Sequence, residues 1–231
     1  MAEFEWEHGP RVAESDMVRS AAMGLSDDSG QRKAILGASL ELGGTHGLDG
    51  LTMRGIARKL GVSATALYQH FGSKIEILRA IRFRGLLDLN ERLRPAFALD
   101  DPRERLREQA LGYLRFAQEK PWLYCLLLVD DADDWGVLSA TEQDTVMESS
   151  TLVKQAIRDG MERGLLRPDL DPDIVSTTMW AAMHGLALLI LRGRISPGHP
   201  VFPVENIDAA SRRFVDELVR GLEVPRPRDD D

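Results

Sequence analysis

The sequence predicts an all-α protein: an N-terminal three-helix helix-turn-helix module followed by a larger helical body. Three observations predict it. Apolar residues recur at three- and four-residue spacing along most of the 231-residue chain, the period of a helix with one buried face. No run of alternating Val, Ile and Thr is long enough to make a strand. Ser, Thr, Asp or Asn precede the apolar stripes and Gly or Pro follow them, so the helices have legible starts and stops. A hydrophobic content of 43% supports a full core in one large domain or two small ones.

Residues 1–30 are acidic and contain Gly9-Pro10 and Ser26-Asp27-Asp28-Ser29-Gly30; they read as a mobile acidic extension in which Trp6 is best suited to docking. A first helix is expected from about Gln31 to His46, with Ile35, Leu36, Ser39 and Leu42 facing inward and Gly43 and Gly44 weakening its end by about 1 kcal/mol each relative to Ala. Thr52 is placed to cap a second helix, in which Ile56, Ala57 and Leu60 form an apolar stripe. Gly61 suits the left-handed conformation that ends it, Val62 is expected to plug the gap, and Ser63 to cap a third helix through Phe71. Ala57 is small where the third helix must cross the second, and Leu67 packs back into the same crevice. This is the helix-turn-helix plan, whose second helix enters the major groove of DNA. Gly72 breaks that helix, and Ser73 with Glu76 makes a capping box for a fourth reaching about Arg94. Lys74 sits in its first turn, where the helix dipole disfavours a cation, and an anion bound there would relieve the conflict.

The body follows with a helix over Arg103 to Glu119, a short apolar segment PWLYCLLLVD, and an acidic loop DDADDWG. Helices are then expected from Thr141 to Gly164, from Asp171-Pro172 to Leu191 and from Asn206 to Gly221, with 224–231 a disordered tail. Met179 to Leu191 is apolar nearly all round, but thirteen residues interrupted by His184 are too few for a bilayer span and read as a buried helix, not a membrane segment. In the last helix Ile207, Phe214, Leu218 and Leu222 mark a stripe wider than one neighbour needs. Two such helices from each of two subunits would make a four-helix packing, so a homodimer through about 172–191 and 206–221 is expected.

Charge separates the parts. The chain is −8 overall, but residues 31–84 carry nine basic and three acidic groups while 1–30 are −5 and 85–231 are −9. A basic module on an acidic body is the footprint of a DNA-binding head. Enzyme motifs are missing: no G-x-S-x-G, P-loop or G-x-G-x-x-G occurs, and the five histidines show no metal-ligand spacing. No catalytic residue, cofactor or metal is expected. Asp131, Asp133, Gly136 and Glu142 fall at calcium-loop spacing, but Trp135 stands where an oxygen ligand is needed. With Cys125 the single cysteine and no leader-like segment in the first thirty residues, a cytoplasmic location is expected.

LTMRGIARKLGVSATALYQHFGSKIEIL, preceded by RKAILGASLEL, resembles the DNA-binding domain of the TetR family of bacterial transcriptional regulators over roughly 31–80. The resemblance implies that Thr52, Ser63, Thr65, Tyr68, His70 and Lys74 contact the DNA backbone or base edges, and that Arg54, Ala64 and Gln69 lie close to the duplex. Two departures stand out: Gly43 replaces the aromatic that often follows Leu42, and Ala64 replaces a long polar residue. Gln69 and Thr65 are then the best candidates for base edges. With Leu67 and Phe71 inward, Tyr68 points its hydroxyl outward on helical geometry, whereas His70 fits a phosphate contact or helix-end packing equally. MWAAMHGLALL also resembles the W-H-G signature of one subgroup, through Trp180, His184 and Gly185.

The same resemblance implies a ligand-binding and dimerisation domain over 81–223. Candidates for its pocket are Phe116, Trp122, Tyr124, Cys125, Trp135, Met147, Met179, Trp180, Met183 and His184, any of which could equally be plain core. The function implied is a DNA-binding regulator, a repressor released from a palindromic double-stranded operator by a small apolar effector. The competing reading is a small-molecule binding protein or enzyme whose helix-turn-helix serves in protein contacts.

Overall fold

The computed structural model describes residues 30–129 and 138–225. The acidic extension with Trp6, the loop holding Asp131, Asp133, Trp135 and Gly136, and most of the tail lie outside the described residues. Those described form α1 (Gly30–Gly50), α2 (Met53–Leu60), α3 (Ala64–Tyr68), α4 (Lys74–Leu93), a 3-10 turn (Arg94–Ala98), α5 (Pro102–Glu119), α6 (Pro121–Leu128), α7 (Ala140–Glu162), α8 (Pro172–Leu191) and α9 (Ile207–Arg220). Among them there is no β-strand, only the isolated bridges Leu166 to Glu223 and Ser196 to Pro203.

Local chemistry accounts for the boundaries. Thr52 and Ser63 cap α2 and α3, Asp171 caps α8 with Pro172 in its first turn, and Asn206 caps α9. Gly61 ends α2 at φ 68°, which a side chain adopts only at a cost. Glu142 closes a capping box with Ser139 at the start of α7, so the one described member of the calcium-like spacing is engaged locally.

Several details differ from the sequence reading. α1 does not fade at Gly43 and Gly44; its backbone breaks at Gly47. Gly43 is instead buried beneath Trp122 of α6, and a Cβ there would collide with the indole. The ring expected after Leu42 is thus supplied by another helix. α3 is one short turn ending at Tyr68, with Gln69 and His70 in the turn that follows. Val62 plugs nothing: it is 45% exposed, because Leu51, Ile56, Ala57, Leu67 and Phe71 already close the head's core. Glu76 reaches the Gly72 amide at 2.7 Å, one residue beyond the expected box.

The expected boundary at 80/81 falls inside α4, whose Ile77, Leu78, Ile81, Leu86, Leu89 and Leu93 are buried in one core running from head to body. α6 lies against α4 where Gly85 leaves room; a Cβ there would sit 2.9 Å from Leu123. The buried Arg82 donates through Nε to the Leu126 carbonyl at 3.1 Å. Asn90 fastens α4 to α7, donating to the Thr145 carbonyl at 2.8 Å and accepting from Ser149 at 2.7 Å.

α8 is not surrounded. Val175, Met179, Met183 and Ala187 face the core, but Ile174, Trp180 and Leu189 are 64, 46 and 45% exposed. At twenty residues, seven more than the apolar run Met179 to Leu191, it is long and apolar enough to cross a membrane by length and composition alone. In α9 the buried face is Ser211, Val215 and Val219, while Ile207, Phe214 and Leu218 lie beside it and Leu222 just beyond the helix end, all half-buried.

Candidate nucleic-acid interface

The head presents one polar arc. Leu67 and Phe71 are 1 and 0% exposed, so helical geometry turns Thr65, Tyr68 and Gln69, at i, i+3 and i+4, away from the core. Thr65 and Gln69 are exposed and Tyr68 is 53% exposed. Ala64 and His70 are half-buried and Arg54 is exposed. Thr52 Oγ1 accepts from the Gly55 amide at 3.0 Å and Ser63 Oγ from the Ala66 amide at 3.1 Å. A hydroxyl that accepts a capping bond keeps its own proton to donate, so both caps can serve a phosphate without weakening their helices. Arg58 and Lys59 lie in the last turn of α2, and Lys59 pairs with Glu41 of α1 at 2.6 Å.

Lys74 is less free than expected. Its Nζ donates to the Leu48 carbonyl at 2.5 Å, from the half-buried Lys74 in the first turn of α4 to the end of α1. That carbonyl relieves the conflict with the helix dipole, and the ammonium still has donors left for an anion. Sequence reasoning missed this tie and missed Arg32, counted only as charge. Arg32 donates through Nη1 to the His70 carbonyl, and its Cζ lies 4.0 Å from the Phe71 ring centroid. Neither partner was visible in a linear reading.

The pocket candidates stand in different surroundings. Phe116, Tyr124, Met179 and Met183 are buried core, and Trp122 covers Gly43. Cys125 is half-buried on α6 and Met147 is exposed on α7; Trp135 lies outside the described residues. A cleft of about 440 Å³ runs along α7 past Met147, and another of about 270 Å³ opens between α5 and α9, lined by Leu111, Leu114, Arg115 and Ser211 among others.

Three candidates and one residue not foreseen do converge. Tyr124 and Tyr113 reach His184 Nδ1 at 2.6 and 3.2 Å, their hydroxyls lie 3.2 Å apart, and Trp180 stacks on the imidazole at 5.3 Å between centroids. With Nδ1 accepting, the neutral ring carries its proton on Nε2. Burial pushes Tyr113 up to about 12, raises Tyr124 and lowers His184 below its ordinary 6.5. The folded state therefore binds fewer protons at His184 than the unfolded chain, and this contribution to stability is lost as pH falls below about 6.5. His184→Gln is expected to flatten the fall of Tm between roughly pH 7.5 and 5.5; a slope identical to wild type would show that His184 does not carry that dependence.

Residues 35–81 match the family described as bacterial regulatory proteins, tetR family, and residues 106–221 match the one described as tetracyclin repressor-like, C-terminal domain. Neither description bears on the W-H-G subgroup. The chain is 31% identical over 148 residues to the nucleoid occlusion factor SlmA of Marinobacter nauticus, covering 60% of this chain and 72% of that protein. It is 36% identical over 85 residues to the class C tetracycline repressor protein of Escherichia coli, covering 37% of this chain but only 38% of that protein. Among solved structures, the TetR family transcriptional regulator PfmR of Thermus thermophilus superposes with a TM-score of 0.63 at 23% identity, covering 82% of this chain and 99% of that one.

Proposed function

This chain belongs to the TetR family of bacterial DNA-binding transcriptional regulators, and on that premise we propose that it is a homodimeric repressor released from a palindromic operator by a small apolar effector. Members of the family bind operator DNA as dimers and respond to small molecules, and they are not enzymes. The proposal assigns DNA reading to 31–80, effector binding and dimerisation to 81–223, and action in the cytoplasm, where the DNA is.

The observation that carries the reading is the arc of Thr65, Tyr68 and Gln69, braced from behind by Leu67 and Phe71 and flanked by the capping hydroxyls of Thr52 and Ser63. An extended row of donors with a rigid apolar back suits a groove wall and its phosphates. A twofold dimer through α8 and α9 would set two such arcs about 34 Å, or a multiple, apart. Repression is supported by the name of the tetracycline repressor relative, and an effector site near Tyr124 and His184 by the convergence there of three polar side chains, Tyr113, Tyr124 and His184, among buried apolar residues such as Phe116, Met179 and Met183. An effector favouring a conformer with mis-spaced heads need differ in affinity between the two states by only about 1–3 kcal/mol.

Tyr68 tests the assignment without touching the core, because its hydroxyl has no partner among the described residues and the side chain is 53% exposed. Tyr68→Phe is expected to weaken operator binding about tenfold while leaving Tm unchanged. Lys74→Ala should lower the slope of log affinity against log salt by about one unit per monomer. Wild-type affinity in both variants would remove these residues from the interface.

A further inference from the structure

We infer that Arg32 is a positioning residue for the recognition helix, setting the pitch at which Thr65, Tyr68 and Gln69 meet DNA; the inference rests on the DNA-reading assignment above. α3 spans five residues, Ala64–Tyr68, too short to hold its own shape. Its N-terminal end is fixed by the Ser63 cap. Its C-terminal end runs on through Gln69 and His70, and there Arg32 reaches in from the first turn of α1, far away in sequence, to donate to the His70 carbonyl.

Three features make this more than a surface contact. The carbonyls at a helix C-terminus carry the negative end of its dipole, where a cation is favoured. The guanidinium also lies over the ring of Phe71, 4.0 Å from its centroid, and Phe71 is fully buried, so the clamp is referred to the head's core. A planar guanidinium can donate in its plane while stacking on its face; an ammonium cannot do both in this fixed geometry. Thr65 and Gln69 lie on the turn so held, and a tilt of that turn would shift base-edge contacts more than contacts to the flexible phosphate backbone. Arg32 therefore acts on operator choice through α3 rather than by touching DNA.

The test compares full-length wild type with Arg32→Lys and Arg32→Gln on an operator fragment and on unrelated duplex DNA, across a range of salt, with Tm recorded for each protein. Arg32→Lys keeps the charge and Arg32→Gln keeps a neutral donor, so at least one should stay folded. The expected result is operator affinity lowered about tenfold in both, with affinity for unrelated DNA and the salt slope unchanged. A slope reduced by about one unit per monomer in Arg32→Gln, with affinity restored in Arg32→Lys, would overturn the inference by making Arg32 a phosphate contact. Wild-type operator affinity in both folded variants would overturn it as well. A wild-type protein that binds no DNA would overturn the regulator reading and this inference with it, whereas the other two outcomes overturn this inference alone.

Discussion

Ala181→Glu is expected to convert the protein from a dimer to a monomer of 25.7 kDa and to weaken operator binding on the order of 10²- to 10⁴-fold. α8 buries Val175, Met179, Met183 and Ala187 and turns Ile174, Thr178, Ala181, Gly185 and Leu189 outward. That outer stripe is apolar at its ends and small in the middle, so a second helix can approach closely. Exposed apolar surface of this extent on a helix of a folded body marks an interaction face. A carboxylate set in its centre would be desolvated without a partner, at a cost of several kcal/mol. Each head would then bind its half-site alone and lose the effective concentration that the dimer provides. A variant that remains dimeric with wild-type affinity would place the interface elsewhere.

Gly43→Phe should lower stability by about 3 kcal/mol, although it restores the aromatic that the family pattern often has there. Trp122 already fills the space: Gly43 is buried, and even a methyl group on it would run into the indole. In a helix whose neighbours left room, replacing Gly would instead gain up to about 1 kcal/mol, so the sign of the change is itself informative. Moving the ring across, in Gly43→Phe with Trp122→Ala, is expected to recover more than half of the loss in urea unfolding. Additive losses in the double variant would mean that the two positions do not share one space. The joint also bears on function, because Trp122 belongs to α6, which Tyr124 links to His184 of α8 and Arg82 links to α4. The head thus rests on a helix that touches both the body's polar centre and the α8 helix proposed to pair subunits.

What the sequence disclosed was local. Thr52, Ser63, Gly61, Asp171-Pro172 and Asn206 act within a few residues of themselves, and each behaves as its chemistry requires. The outward turn of Tyr68 followed from the inward turn of Leu67 and Phe71. The errors lie where a partner is distant in the chain. Gly43 looked like a weak helix end because Trp122 was not in view. Lys74 looked like a bare cation because the Leu48 carbonyl is 26 residues away, and Arg32 looked like mere charge because its partners, His70 and Phe71, lie just past the end of α3. In α9 the sequence reading named the large residues Ile207, Phe214, Leu218 and Leu222 and passed over the inner face, which is made of the smaller Ser211, Val215 and Val219 in a helix that packs on α5. The pocket was least legible, because a cavity is a property of packing and not of any one stretch.

In the proposed function this head reads DNA as one half of a twofold pair. The most direct test is selection of genomic fragments by the purified full-length protein at near-physiological salt, with the enriched sequences read out. The expected result is a twofold-symmetric motif whose half-sites lie about one helical turn or a multiple apart, bound with steep salt dependence. Folded, dimeric protein that enriches no motif, or binds with little dependence on salt, would contradict it.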